Sequence, residues 1–169
     1  WHAKSWNEVA AEVAALSSAL SARGFGAGDR LLLVSHPRAE ALLVALAAQW
    51  LGGSAALIDP AQGDAHVMHI VAGSAALHVF AEDQQQVDRV LAALGSQPRL
   101  RTLAFADGRG LVGDQGNPQA GNGHGYDSHS HAPYLVAYAA LASARPHSTL
   151  PLRAGAGQVA FHFLDLNGE

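Results

Sequence analysis

The sequence predicts an α/β fold: a mostly parallel sheet with flanking helices. Four short apolar segments, near residues 31–35, 54–58, 76–80 and 100–105, have the length and composition of buried strands. The segments between them carry apolar residues at helical spacing. Because helices that alternate with short buried strands are typical of parallel sheets covered by helices, this order predicts the fold class.

The first helix is predicted over residues 5–23. Ser5 and Glu8 form an S-x-x-E capping box at its start. Apolar residues then recur on one face, at Val9, Val13, Leu16 and Leu20. Three glycines follow, Gly24, Gly26 and Gly28. They predict helix termination and a tight turn, because a dinucleotide-binding turn would follow a strand and precede a helix.

The second helix is predicted to open at Pro37, which suits the first turn of a helix. Residues 38–51 are apolar nearly all round, so this helix is expected to be buried. Two further helices are predicted from the spacing of apolar residues, around 67–71 and 87–94. Trp6 and Trp50 lie on predicted helices and are expected in the core.

The composition changes after residue 106. Residues 107–131 are mostly Gly, Asn, Asp, Gln, Ser and His, which predicts a linker. This segment holds the one dense cluster of possible metal ligands, His124, Asp127, His129 and His131. Imidazole and carboxylate groups bind Zn, Ni or Cu, but a flexible sequence offers no preformed geometry, so a solvated linker is the competing interpretation. The predicted organisation is a 1–106 α/β unit, a 107–131 linker and a 132–169 segment.

The 132–169 segment is predicted to complete the same domain with a helix over 132–144 and a strand over 159–166. Asn167-Gly168 is a strong hairpin signal, so the strand is predicted to pair antiparallel with residues 1–6, as in a permuted chain. The same pairing between molecules would exchange strands and give a homo-oligomer. The alternatives are an edge strand elsewhere, or a tandem copy that continues beyond Glu169.

Bulk composition excludes several classes of function. The 169 residues suit one domain, and 49% of them are hydrophobic, so the chain can bury a core. The net charge is −4 and no basic face stands out in the sequence, so a nucleic-acid partner is not expected. Cysteine is absent, which excludes disulfides and thiolate chemistry. With no apolar run of membrane-spanning length and no signal-peptide layout at Trp1, a cytoplasmic location is expected.

The order of these elements resembles the N-terminal subdomain of acyl-CoA synthetases and related adenylate-forming (AMP-binding) ligases. The Ser5-Trp6-x-Glu8-Val9 helix start comes first. The turn over residues 24–30, Gly-Phe-Gly-Ala-Gly-Asp-Arg, leads into an apolar strand and is the most similar single element. Gly52-Gly53-Ser-Ala, a strand and Asp59-Pro60 follow. The tail, residues 148–169, looks like the segment that normally precedes Trp1 in these ligases.

The resemblance implies an ATP-dependent activity: a fatty acid or other carboxylate becomes an acyl-adenylate, and the acyl group then passes to CoA. ATP, Mg and CoA are the cofactors of the complete family enzyme. The family's Ser/Thr/Gly-rich phosphate loop has no counterpart in these residues, and the C-terminal domain with its catalytic lysine is also missing, since the only lysine is Lys4. We therefore assign no catalytic or cofactor-binding residue and expect none of these cofactors to bind this chain alone.

Three functions compete at this point. The chain is a portion of a fatty-acid-activating ligase that is inactive alone, a non-catalytic binding or regulatory module that kept the ligase fold, or an unrelated doubly wound enzyme. Whether the full reading frame encodes a phosphate loop and a lysine domain discriminates between the first two.

Overall fold

The computed structural model describes residues 3–95, 99–109, 134–146, 155 and 157–163. Helices and strands alternate along most of this length. In chain order they are α1 (Trp6–Ala22), β1 (Arg30–Val34), α2 (Ala39–Trp50), β2 (Ser54–Ile58), a 3₁₀ turn (Pro60–Gln62), α3 (Asp64–Gly73), β3 (His78–Ala81), α4 (Gln84–Leu94), β4 (Thr102–Phe105), β5 (Leu135–Ala137), α5 (Tyr138–Ala142) and β6 (Phe161–Phe163).

The six strands form one sheet in the order β5-β4-β3-β1-β2-β6. Every neighbouring pair is parallel. The predicted fold class is therefore confirmed. The four strands predicted from apolar segments are confirmed as well, because the observed β1 to β4 boundaries differ from the predicted ones by at most two residues.

The core has two layers, one on each face of the sheet. Leu31 and Leu33 of β1 face α1, α2 and α5, while Leu32 and Val34 face α3 and α4. All four side chains are almost completely buried. Side chains alternate between faces along a strand, so a central strand that is covered on both faces reads as a continuous apolar run.

The ends of α1 have the predicted capping. Glu8 donates its backbone N–H to Ser5 Oγ at 3.3 Å, and Ser5 donates its own N–H to the Glu8 carboxylate at 2.7 Å. At the other end Phe25 donates its N–H to the Leu20 carbonyl, and Gly24 has a φ of 83°. This is a Schellman cap, in which a glycine takes the left-handed conformation and the last carbonyls of the helix find donors.

Three expectations from the sequence are wrong. The second helix begins at Ala39 instead of Pro37, because Arg38 is extended (φ −148°, ψ 159°) and its guanidinium contacts Glu40 and the Glu82 carbonyl. A helix was expected over 132–144. Instead, Leu135–Ala137 forms a strand that pairs with β4, and a short helix follows it. The third error concerns Trp6, which is 87% exposed at the first turn of α1, and Trp50, which is 37% exposed.

The expected pairing of the termini is not found among the described residues. Phe161–Phe163 pairs parallel with β2, as an edge strand of the sheet. Residues 3–5 form no strand, and Trp6 already begins α1. Residues 1, 2 and 164–169 lie outside the described part, so the predicted pairing of these residues stays a prediction. No helix within the described ranges has the length and hydropathy needed to cross a membrane.

Candidate functional site

The carboxyl ends of β1 and β3 form the topological switch point of the sheet. The chain moves from β1 to β2 in one direction, whereas β3 and β4 lie on the other side of β1. In open parallel sheets, ligands bind outside the carboxyl ends of the strands at such a point. Here the residues that follow these two strands are Ser35-His36 and Glu82-Asp83.

Glu82 and His36 contact each other directly across this switch point. The His36 Nδ1 atom lies 2.7 Å from Glu82 Oε1, and the His36 backbone N–H donates to Glu82 Oε2 at 2.9 Å. The Glu82 side chain is only 10% exposed, whereas that of His36 is 57% exposed. An ionised carboxylate only accepts hydrogen bonds, so the proton between them belongs to Nδ1. The second ring nitrogen of His36, Nε2, then faces away from the carboxylate.

Backbone contacts hold this pair in place. Glu82 donates its N–H to the Val34 carbonyl at 3.2 Å, and the Glu82 carbonyl accepts the Asp107 N–H at 2.9 Å. The Ser35 hydroxyl donates to the His36 carbonyl at 2.7 Å. The ends of β1, β3 and β4 are thus linked, so both side chains of the pair extend from anchored backbone.

Two arginines pair with two further carboxylates near this edge, Glu40 and Asp107. Arg38 donates from Nε to Glu40 Oε2 at 3.0 Å, which raises the pKa of Arg38 and lowers the pKa of Glu40. Arg109 donates from Nε to the Asp107 carboxylate at 2.9 Å and lowers the pKa of Asp107 to about 2. Each of these pairs is at least partly open to solvent, so it contributes little to stability.

An apolar cavity of about 440 Å³ opens beside His36, at the start of α2. This volume lies within the usual range for small-molecule sites, roughly 300–1,000 Å³. The polar groups on its wall come from His36 and Arg38, and Leu42 is 55% exposed at its rim. The remaining lining residues are apolar: Leu33, Pro37, Ala39, Ala41, Leu57 and Phe161.

A smaller cavity of about 280 Å³ lies at the opposite, amino edge of the sheet. It is lined by Asp29, Arg30, Ala75, His78 and His162, together with Gly28, Ser54, Ser74, Ala76 and Leu77. Ala75 has a φ of 49°, which is unusual for a residue with a Cβ atom. His78 is 1% exposed; its Nδ1 lies 3.1 Å from Thr102 Oγ1, and burial lowers the pKa of the imidazole.

The sequence-predicted metal candidates, His124, Asp127, His129 and His131, lie outside the described residues. Within the described ranges, no group of three or more metal-ligating side chains is arranged to hold an ion. The glycines at 24 and 28 have positive φ and form the predicted turn, with Gly28 donating to the Gly52 carbonyl at 3.0 Å.

Sequence reasoning missed the His36–Glu82 pair. The available signal was position, because each residue of the pair follows a buried strand within two residues. Parallel strands place their carboxyl ends at one edge, but which two strands are neighbours is decided by the topology.

The comparisons with known proteins agree with this architecture. A family model described as "AMP-binding enzyme" matches residues 1–140. The coronafacic acid ligase from Pectobacterium brasiliense superposes with a TM-score of 0.71 at 11% identity, covering 96% of this chain and 28% of the ligase. A benzoate CoA ligase from Burkholderia xenovorans gives a TM-score of 0.66 at 19% identity, covering 94% and 27%.

A putative long-chain-fatty-acid CoA ligase from Rhodopseudomonas palustris gives a TM-score of 0.60 at 18% identity, covering 92% of this chain and 32% of the ligase. The chain thus spans a third or less of the length of these structures. No protein with a curated description matches it significantly. Identities this low show the fold alone, whereas the family model covers most of the sequence. The chain therefore belongs to the family of AMP-binding, adenylate-forming enzymes.

Proposed function

We propose that this chain is the N-terminal α/β portion of an ATP-dependent ligase that activates a fatty acid or another carboxylate. The complete enzyme forms an acyl-adenylate and transfers the acyl group to CoA. The observation that carries this proposal is the family match over residues 1–140. The similarity of the whole chain to solved acid and CoA ligases supports it. The cysteine-free composition is compatible with the reducing cytoplasm, where we propose that the enzyme acts.

We propose further that the chain alone does not catalyse the reaction. ATP, Mg and CoA would bind to parts of the ligase outside these 169 residues. The carboxyl edge of the sheet supports this view, because it carries the carboxylates of Glu40, Glu82 and Asp107. The guanidinium groups of Arg38 and Arg109 already pair with Glu40 and Asp107, so neither is available to bind a triphosphate. The Ser/Thr/Gly-rich run that would donate to phosphate oxygens is absent from the sequence.

We also propose that residues 1–106 and 132–169 make one folding unit joined by the connection 107–131. The support is that β5 pairs with β4 and β6 pairs with β2. Cleavage within 107–131 by a nonspecific protease is expected to leave two fragments that stay associated in size-exclusion chromatography. Separation of the fragments in native buffer would contradict one unit.

The catalytic proposal is tested by ATP–pyrophosphate exchange. The isolated chain is expected to show no exchange with benzoate, octanoate or palmitate above a no-enzyme control. A hybrid in which this chain replaces the matching region of the Burkholderia xenovorans benzoate CoA ligase is expected to regain benzoate-dependent exchange. The matched control is the same hybrid with Leu33→Asp, which places a charge in the buried core.

The outcomes separate the possibilities. Exchange by the isolated chain would show that it is not inactive alone. A hybrid that folds but stays inactive would favour a non-catalytic binding or regulatory module that kept the ligase fold.

A further inference from the structure

The hydrogen bonds between His36 and Glu82 constrain the tautomer of the imidazole. Glu82 is largely buried, and both of its carboxylate oxygens accept hydrogen bonds from His36, one from the ring and one from the backbone. The carboxylate therefore fixes the tautomer with the proton on Nδ1. In the neutral ring, Nε2 then carries a lone pair. Over half of the His36 side chain is open to solvent, so a ligand can approach this nitrogen.

An apolar volume lies next to this acceptor. The 440 Å³ cavity has His36 on its wall, and the side chains of Leu33, Leu57 and Phe161 form much of the remainder. Sites that bind small molecules typically combine an apolar cavity with a few placed polar groups. Here the two parts come from separate elements, β1 with its following loop and the β2–β6 edge.

We propose that this cavity binds a neutral small molecule with an aliphatic or aromatic body and one hydroxyl or thiol group. The body lies in the apolar volume, and the hydroxyl or thiol donates its hydrogen to His36 Nε2. Glu82 is the positioning residue, because it holds the imidazole in the accepting tautomer. The proposal stands apart from ligase activity, because binding of this kind requires neither ATP nor any residue outside the chain.

Charge decides against a carboxylate as the ligand. Arg38 already pairs with Glu40, and the contact between Arg38 and Glu82 reaches only the Glu82 backbone carbonyl, at 3.2 Å. A second carboxylate at His36 would share a single imidazole with the Glu82 carboxylate, and like charges placed around one group repel each other. A neutral hydroxyl or thiol has no such cost.

Phenol and toluene are the matched probes, since they have the same ring and differ in the hydroxyl group. Both would be titrated into the 169-residue chain at pH 7.5 and followed by NMR, using the His36 ring signals and the methyl groups of Leu33 and Leu57. Phenol is expected to shift both sets of signals saturably. Toluene is expected to shift the methyl groups without changing the tautomer-sensitive nitrogen signals of His36.

The quantitative test compares variants. The ratio of the toluene Kd to the phenol Kd is expected to fall roughly 2- to 10-fold in His36→Asn, the factor that one neutral hydrogen bond contributes. Glu82→Leu is expected to lower the ratio as well and to move the ring proton of His36 from Nδ1 to Nε2. His69→Asn, at an exposed histidine of α3, is the control and is expected to leave the ratio unchanged.

Two results would overturn the proposal. One is the absence of saturable binding of phenol at the cavity methyl groups up to 10 mM, on the order of weak fragment affinity. The other is an equal Kd ratio in the unmodified chain and in a folded His36→Asn variant, which would show that the hydroxyl group does not contact His36.

Discussion

Gly53 is the position at which a single methyl group is expected to damage this fold most clearly. It follows α2 and precedes β2, where the chain passes directly over the turn at residues 24–30. A Cβ atom added at Gly53 would lie 2.5 Å from two ring carbons of Phe25 and 2.7 Å from the Asp29 carbonyl oxygen. Ordinary contacts begin at 3.4 Å, so Gly53→Ala requires one of these groups to move.

Neither group can move without cost. The Phe25 ring is 3% exposed and packs edge-on against His78, with the ring centroids 5.1 Å apart. The Asp29 carbonyl accepts the Ser54 N–H at 2.9 Å, at the start of the β1–β2 pairing. Overpacking in a core costs about 1–3 kcal/mol, and weakening one backbone hydrogen bond costs about 0.5–1.5 kcal/mol. Together they predict a loss of roughly 2–4 kcal/mol in the free energy of unfolding.

Urea unfolding followed by circular dichroism measures this change, and Gly26→Ala provides a matched control. Gly26 lies in the neighbouring turn, and nothing stands within 4 Å of the Cβ atom that alanine would add there. That control is expected to change the free energy of unfolding by no more than about 1 kcal/mol, in the stabilising direction. If Gly53→Ala unfolds at the same urea concentration as the unmodified chain, the close contact with Phe25 and Asp29 is not real.

Three further changes test other contacts. Ser5→Ala is expected to cost about 1 kcal/mol, because Glu8 loses the acceptor of its backbone N–H, and urea unfolding would show it. Tyr138→Phe removes the hydroxyl that donates to Glu12 at 2.6 Å, and a loss of about 1.5–3 kcal/mol is expected; an unchanged unfolding midpoint would contradict it. Burial lowers the pKa of His78 below its ordinary value of 6.5, so this imidazole binds a proton more readily in the unfolded chain than in the folded one. The contribution of His78 to the free energy of unfolding is therefore expected to be constant above pH 6.5 and to fall as the pH drops below it. In His78→Leu, the free energy of unfolding is expected to fall less steeply with decreasing pH.

Local signals in the sequence were sufficient to predict the start and end of α1 and the strands β1 to β4. The capping box at Ser5 and Glu8 depends on residues three positions apart, and it forms as predicted. The glycine turn after α1 is equally local. The positive φ of Gly24 lets the N–H groups of Gly24 and Phe25 donate to carbonyls in the last turn of the helix. Buried strands such as Arg30–Val34 were visible because coverage on both faces demands an uninterrupted apolar run.

Features that depend on distant residues were predicted less well. Leu135–Ala137 has a composition that suits a helix, but the open edge of β4 provides hydrogen-bond partners, and the segment becomes a strand. Trp6 was expected in the core because large aromatic side chains usually are buried, yet the phase of α1 directs it to solvent. For Leu135–Ala137, tertiary contacts outweighed a local preference that is worth only a fraction of a kcal/mol per residue, up to about 1 kcal/mol.

The sequence by itself determined the fold class, the positions of four parallel strands and the resemblance to adenylate-forming ligases, because these depend on periodicity and on the order of elements along the chain. Only the tertiary structure decided that His36 and Glu82, which are 46 residues apart, lie 2.7 Å from each other beside an apolar cavity. The physical reason is the strand order. Placing β3 next to β1 brings two carboxyl ends together, and this neighbour relationship is set by how the helices pack on the sheet.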